Sequence, residues 1–183
     1  MTPELPIDLS GKLLLASPTL RDGIFDHSVI YLAHHSSDDG ALGVILNHPT
    51  GREVAQFLPQ PDFEPLARIP VHVGGPVARD QLTFATFRRG KSGHFDFRLR
   101  ISAADAIEHA HTPGTVVRAY IGYSGWTAGQ LEGELEGQSW ITLAPGKELP
   151  GLSHDRDLWH RLMSSVSPFH RLMADAPRDA GLN

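Results

Sequence analysis

The chain has 183 residues, 16 Lys and Arg against 21 Asp and Glu, a formal net charge of −5, and 40% hydrophobic residues. This describes one ordinary globular domain, residues 1–183, large enough to bury a core without covalent staples. It has no cysteine, which excludes disulfides, thiol catalysis and cysteine-ligated metals and suits a cytoplasmic setting. The acidic balance argues against direct binding of DNA or other polyanions, and no run of about twenty apolar residues could cross a membrane as a helix.

In chain order, Lys12 to Ala16 (KLLLA) reads as a buried strand stopped by Pro18. Leu20 to His27 is a loop with Asp22-Gly23 as its turn. Val29 to His34 and Ala41 to Asn47, separated by Ser36-Ser-Asp-Asp-Gly40, read as a hairpin. Thr50-x-x-Glu53 has the form of a capping box opening a short helix through Leu58. Pro59 to Pro70, with four prolines that cannot donate to a ladder, reads as a flexible excursion. Val71 to Val73 enters a Gly74-Gly75-Pro76 turn, and Leu82 to Arg88 is a strand followed by a basic turn to Gly93. Phe95, Phe97, Leu99 and Ile101 alternate strictly with His94, Asp96, Arg98 and Arg100, which predicts a strand with its first set facing the core.

Ser102-x-x-Asp105 predicts a helix to about His111, broken by Pro113-Gly114. Thr115 to Gly122 is strand-like, and Thr127-x-x-Gln130 resembles a cap for a helix toward Glu136. Ser139 to Leu143 returns as a strand. Two short helices follow, near Asp155 to Met163 and Pro168 to Ala174, with Pro168 in its favoured first-turn place. The ends, about 1–8 and 176–183, are expected to fray. The class is α+β with antiparallel pairing.

Gly122-Tyr123-Ser124-Gly125-Trp126 has the outline of a nucleophile elbow, but Trp126 stands where that motif needs glycine. A glycine-permitted turn over packed Tyr and Trp is the simpler reading. Gly129 and Gly133 suggest close packing on the next helix, and Gly137 its C-cap. Val73-Gly74-Gly75-Pro76 lacks the Lys-Ser/Thr ending of a phosphate loop. Despite eleven histidines, the pairs Glu108-x-x-His111 and Asp157-x-x-His160 are too few to predict a metal site. The segment Arg156 to Arg171 reads as a packed helical hairpin through Leu158, Trp159, Leu162, Phe169, Leu172 and Met173. Its acids offset its arginines, which argues against a DNA-reading helix-turn-helix.

Three blocks, in this order, resemble the YqgE/AlgH family. The first runs from Gly11-Lys12-Leu13 through Ala16-Ser17-Pro18, Phe25, Ser28-Val29-Ile30, Gly40-Ala41-Leu42-Gly43 and Asn47-His48-Pro49. The second is Val73-Gly74-Gly75-Pro76-Val77. The third runs from Gly122-Tyr123-Ser124-Gly125-Trp126 through Gly129-Gln130-Leu131-Glu132 to Trp140. The resemblance covers about Leu9 to Trp159. It implies a bent, largely antiparallel β-sheet rolled into a pseudo-barrel with helices packed outside. It also implies a cytosolic bacterial protein of unestablished biochemistry, one branch of which is labelled a transcriptional regulator. Two stretches depart from the family pattern: Gln81-Leu82-Thr83-Phe84 replaces an Arg-Gly-Phe-like strand, and Asn47-His48-Pro49 replaces Asn-Arg-Pro. Anything the family arginine binds therefore meets a different group here.

The favoured function is a non-enzymatic binding or regulatory protein, with no cofactor and no metal, whose partner is an unidentified small molecule or protein. Pro18, Asp22, Phe25, Ser28, Asn47, Gly75, Pro76, Tyr123, Trp126 and Gln130 are its expected binding residues, because aromatic and polar groups beside glycine bends are where scaffolds carry sites. The rival is a small-metabolite enzyme, such as a hydrolase using Ser124 or Ser28 with Asp22 as an acid-base group. It would need a base within hydrogen-bond reach of the serine.

Overall fold

Leucine-rich β1 (Leu13–Ala16) is buried at every position, because its alternate side chains enter two different cores. The computed structural model describes residues 7–90 and 95–177. β1 pairs antiparallel with β2 (Val29–Ser36), which forms the expected hairpin with β3 (Gly40–Ile45). β4 (Pro49–Glu53) pairs with β5 (Pro70–Val73), and β6 (Val77–Arg89) with β7 (Phe95–Ile101). β8 (Thr115–Trp126) is the hub. It lies antiparallel to β3 and β6 and parallel to β5, while β9 (Trp140–Leu143) closes the far edge on β1. The nine strands make one curled sheet that forms a half-barrel.

Three apolar clusters hold helices against this sheet. Leu13, Leu15, Val29, Tyr31, Phe87 and Tyr120 face α3 (Asp157–Val166), which contributes Leu158, Trp159 and Met163. On the opposite face, Leu14, Ile30, Leu32, Ile45, Trp126 and Trp140 meet Leu131 of α2 (Gln130–Glu136). Val54, Leu66, Val71, Phe84 and Ala119 pack on Ala106 of α1 (Ala103–Ala110). Trp159 Nε1–H donates to the Ala16 carbonyl at 2.9 Å, which pins α3 to the end of β1 across the whole chain. Ser102 caps α1 as its spacing implies, accepting from the Asp105 amide at 3.1 Å. β7 alternates half-buried and exposed residues as read, but its apolar face is only half-covered.

Several expectations are corrected. Thr50 is not a cap; it sits in β4, where its hydroxyl donates to the Val71 carbonyl at 2.8 Å. The capping box lies three residues on, between Glu53 and Gln56 around a 3₁₀ turn at Val54–Gln56. Pro59 to Pro70 is not a loose excursion: it carries a 3₁₀ helix, Pro61–Leu66, with Leu66 fully buried. The helix expected from Thr127 begins at Gln130, after a left-handed Gly129 at φ 75°. Added Cβ atoms at Gly129 and Gly133 would meet open space, so close packing does not explain them, whereas Gly137 is the C-cap. In α4 (Pro168–Asp175), capped by Ser167, Phe169 and Leu172 stand 65% and 69% exposed instead of packing in the hairpin. The basic turn falls partly, and the fraying ends largely, outside the described residues.

The glycine blocks are where three strands cross. Gly122 to Trp126 continues β8 and is not a strand-to-helix turn. The Gly74 carbonyl accepts from the Ile45 amide at 2.8 Å and the Ser124 hydroxyl at 3.0 Å. A Cβ on Gly75 would fall 2.2 Å from the Tyr123 main chain. These main chains touch because no side chain intervenes.

Candidate functional site

The crossing anchors a buried amide beside an open cleft. Asn47 is fully buried where β3 hands over to β4; its Oδ1 accepts from the Val29 amide at 2.8 Å and its Nδ2 donates to the His27 carbonyl at 2.9 Å. It thereby ties the Leu20–His27 loop to the sheet and sets one wall of a cavity of about 660 Å³. The wall formed by Asp26, His27, His48 and Pro49 faces Arg79 at the start of β6, and Arg156, Trp159 and His160 around the first turns of α3.

Two non-glycine residues at this cleft hold left-handed backbone, His27 at φ 54° and, next to Arg79, Ala78 at φ 52°. Such strain persists only where surrounding contacts over-determine it, and it concentrates at functional sites. The His27 ring stands edge-on to Trp159, with centroids 4.0 Å apart, while its Nδ1 meets Asp26 Oδ1 at 2.5 Å. His48 is buried, and burial, reinforced by the Arg156 charge, pushes its pKa down to about 4; a hydrogen bond to the Asp26 main chain and the Asp26 charge oppose this. His48 is thus neutral at pH 7. Arg79 and Arg156 are exposed, and neither side chain has a hydrogen bond or ion pair within the described residues.

The ten sequence-derived candidates do not share this cavity. Among them, within the described residues, Asn47 lines the cleft, and Pro18 lines a separate groove with Trp140 and Phe169. Asp22 is exposed and its carbonyl accepts from the Phe25 and Asp26 amides. Phe25 packs edge-on against Trp140, with ring centroids 5.6 Å apart. Gly75 is buried in the crossing and Pro76 is exposed beside it. Tyr123 is half-buried under the Arg100 guanidinium, 5.4 Å from its ring.

Trp126 and Gln130 belong to a structural clamp. Glu134 Oε2 accepts from both Trp126 Nε1 (2.9 Å) and Trp140 Nε1 (2.7 Å), and Oε1 accepts from Gln130 Nε2 at 3.0 Å. Removing the carboxylate leaves two buried indole N–H groups unpaired, at about 1–3 kcal/mol each. Glu134→Leu is therefore expected to lose about 2–4 kcal/mol in urea unfolding, and Glu134→Gln, which keeps one accepting oxygen, about 1 kcal/mol. Equal losses in the two variants would show that the indoles do not need the acceptor.

Neither candidate nucleophile is presented for attack. Ser124 is fully buried with its hydroxyl donating to Gly74, and Ser28 is fully buried with no partner for its Oγ. The cleft residues His48, Arg79, Arg156 and His160 were not selected from the sequence. The signals the sequence offered were the departure at Asn47-His48-Pro49 from the pattern of the resemblance and the Asp157-x-x-His160 pair. Among the described residues no group of three or more His, Cys, Asp or Glu could hold a metal ion, and no helix is long and apolar enough to cross a membrane.

Comparison with known proteins agrees with this architecture. UPF0301 proteins of Mycobacterium avium and Mycobacterium tuberculosis are 40% and 39% identical, each alignment covering 95% of this chain and 90% of the relative. The solution structure of the AlgH protein from Pseudomonas aeruginosa, UPF0301, superposes with a TM-score of 0.67 at 25% identity, covering 97% of this chain and 99% of that one. The crystal structure of protein DIP2367 from Corynebacterium diphtheriae shares the fold with a TM-score of 0.69 at 18% identity, covering 96% and 95%. The AlgH-like family model, DUF179, matches residues 13–169, which takes in the strand crossing, Asn47 and all but the last edge of the cleft, so the chain belongs to the AlgH-like family.

Proposed function

We propose that this protein is a non-enzymatic binding protein with a regulatory role in the cytoplasm, and that it acts by holding a small molecule in the cleft between the Asn47–Pro49 corner, Arg79 and α3. The observation that carries this reading is the cleft itself. Its volume of about 660 Å³ falls in the range of small-molecule sites, about 300–1,000 Å³. Its walls carry several polar groups, of which His27 sits on left-handed backbone. Its buried histidine supports recognition over bond-making, because a group with a pKa near 4 is an inefficient general acid or base at neutral pH. Regulation through a ligand-dependent protein contact fits an acidic chain of net charge −5 better than direct contact with DNA.

A thermal-shift screen of metabolites and nucleotides tests this, since a ligand selective for the folded state raises the melting point. Gly23 lines the cleft, and a Cβ added there meets nothing within 4 Å, so Gly23→Phe is expected to place its ring in the cleft with the backbone undisturbed. The expected result is a hit whose stabilisation disappears in Gly23→Phe. A hit that stabilises both proteins equally places the ligand elsewhere and defeats the reading.

A further inference from the structure

The reading above leaves the ligand's chemistry open, and the cleft walls narrow it. Arg79 arrives from the sheet side and Arg156 from just before α3, so two arginines line one cavity from different elements. Each presents a planar fork of donors suited to paired oxygens of an anion. The carboxylates at the same cleft are largely engaged. Asp26 Oδ1 meets His27 Nδ1, and Asp175, beside lining residues Ala174 and Ala176, meets His160 Nε2 at 2.5 Å. Asp157 lies in the first turn of α3, where its charge compensates the helix dipole.

His48 adds a second requirement. Its ring stands in the cleft wall beside Asp26 and is neutral, so one nitrogen donates and the other accepts, and a ligand hydroxyl can meet either. A matching ligand carries a hydroxyl near its anionic group. Two guanidiniums across one cavity match a dianion better than a single carboxylate, and an acidic chain disfavours a long polyanion.

We propose that the cleft takes a small phosphate monoester bearing free hydroxyl groups, with its phosphate clasped between Arg79 and Arg156 and a hydroxyl hydrogen-bonded to His48. The inference rests on the binding role assigned to the cleft. It is tested by titrating the full-length protein with ribose 5-phosphate and glycerol 3-phosphate, with inorganic phosphate and ribose as separate arms, followed by calorimetry and amide chemical shifts. At least one ester is expected to bind, inorganic phosphate to bind at least about tenfold more weakly, and ribose not to bind. Losing one charge-assisted contact is expected to weaken ester binding about tenfold or more in Arg79→Gln and again in Arg156→Gln. Both side chains are exposed, so both variants should keep the wild-type melting point. Ester binding that survives the double Arg→Gln variant unchanged, ribose binding as tightly as its ester, or no response to either ester overturns the inference. If uncharged molecules bind and Gly23→Phe excludes them while the Arg→Gln variants do not, the phosphate assignment fails and the cleft reading stands. If Gly23→Phe leaves ligand binding intact, the cleft reading itself fails.

Discussion

Acidification from pH 7 to pH 5 is expected to cost this protein several kcal/mol of stability, well before most carboxylates titrate. His48 and His154 are both held near pKa 4, chiefly by burial, with Arg156 adding to the effect at His48 and Arg118 at His154; burial and Arg118 also lower His72. In the folded state His48 and His154 stay neutral through the window in which unfolded histidines protonate, at about pH 6.5. Between about pH 6.5 and 4 the unfolded chain therefore binds more protons, and stability falls as pH falls. Above that window these groups contribute no slope, and below it the loss is complete. At pH 5 the loss is roughly 2 kcal/mol for each of His48 and His154. His154 donates from Nε2 to the Leu149 carbonyl at 2.9 Å, and its own carbonyl receives His72 Nε2 at 2.8 Å, so the array holds the 149–154 loop on the sheet. Urea unfolding at pH 7 and pH 5 measures the loss, and His154→Gln should flatten the slope by about 2 kcal/mol over that interval. The two lowered carboxylates, Asp8 and Asp155, are kept low first by Ser10 and Ser153 hydrogen bonds and act only at still lower pH. Equal stability at pH 7 and pH 5 would contradict the buried neutral array.

The second large effect is expected at Gly122. Its backbone is left-handed at φ 70°, and a Cβ there would lie 2.6 Å from the Gly75 carbonyl oxygen and 2.7 Å from that of Val77. Neither obstacle can rotate away, because both are main chain. Gly122→Ala thus combines a left-handed penalty of about 1–2 kcal/mol with an overpacking cost of about 1–3 kcal/mol, together about 4 kcal/mol. Gly133 is the contrast. It lies inside α2, and a Cβ there would meet nothing within 4 Å. Gly133→Ala is expected to stabilise by up to about 1 kcal/mol, through helix propensity and a less flexible unfolded chain. Denaturation midpoints for the two variants check both signs. A harmless Gly122→Ala would mean that the crossing has room to open.

What the sequence disclosed was what short range decides. The β2–β3 hairpin, the Ser102 cap and the alternation of β7 follow from neighbours a few residues apart, and they appear where the pattern puts them. The glycine blocks were visible too, but their meaning was inverted. Glycine beside a strand was read as a turn, whereas Gly74, Gly75 and Gly122 mark the place where β5, β6 and β8 press main chain on main chain. The family-level fold came through because these blocks recur in order.

The site was less legible for a physical reason. Trp126 and Gln130 looked like recognition groups, yet the acceptor that occupies them, Glu134, sits one turn beyond Gln130 in α2. Gln130 and Glu134 are four apart and could have been paired in advance; the second indole, Trp140, could not. The cleft gathers His27, His48, Arg79 and Arg156 from separate stretches of chain, and only the three-dimensional closure of the sheet against α3 brings them to one cavity.

Amide and indole chemical-shift mapping with the strongest ligand from the metabolite screen tests the cleft assignment most directly. Perturbations are expected to concentrate at Gly23, His27, His48, Arg79, Arg156 and the Trp159 indole, and to be absent in Gly23→Phe. Perturbations centred instead on Pro18, Trp140 and Phe169, with the cleft signals unmoved, would contradict it.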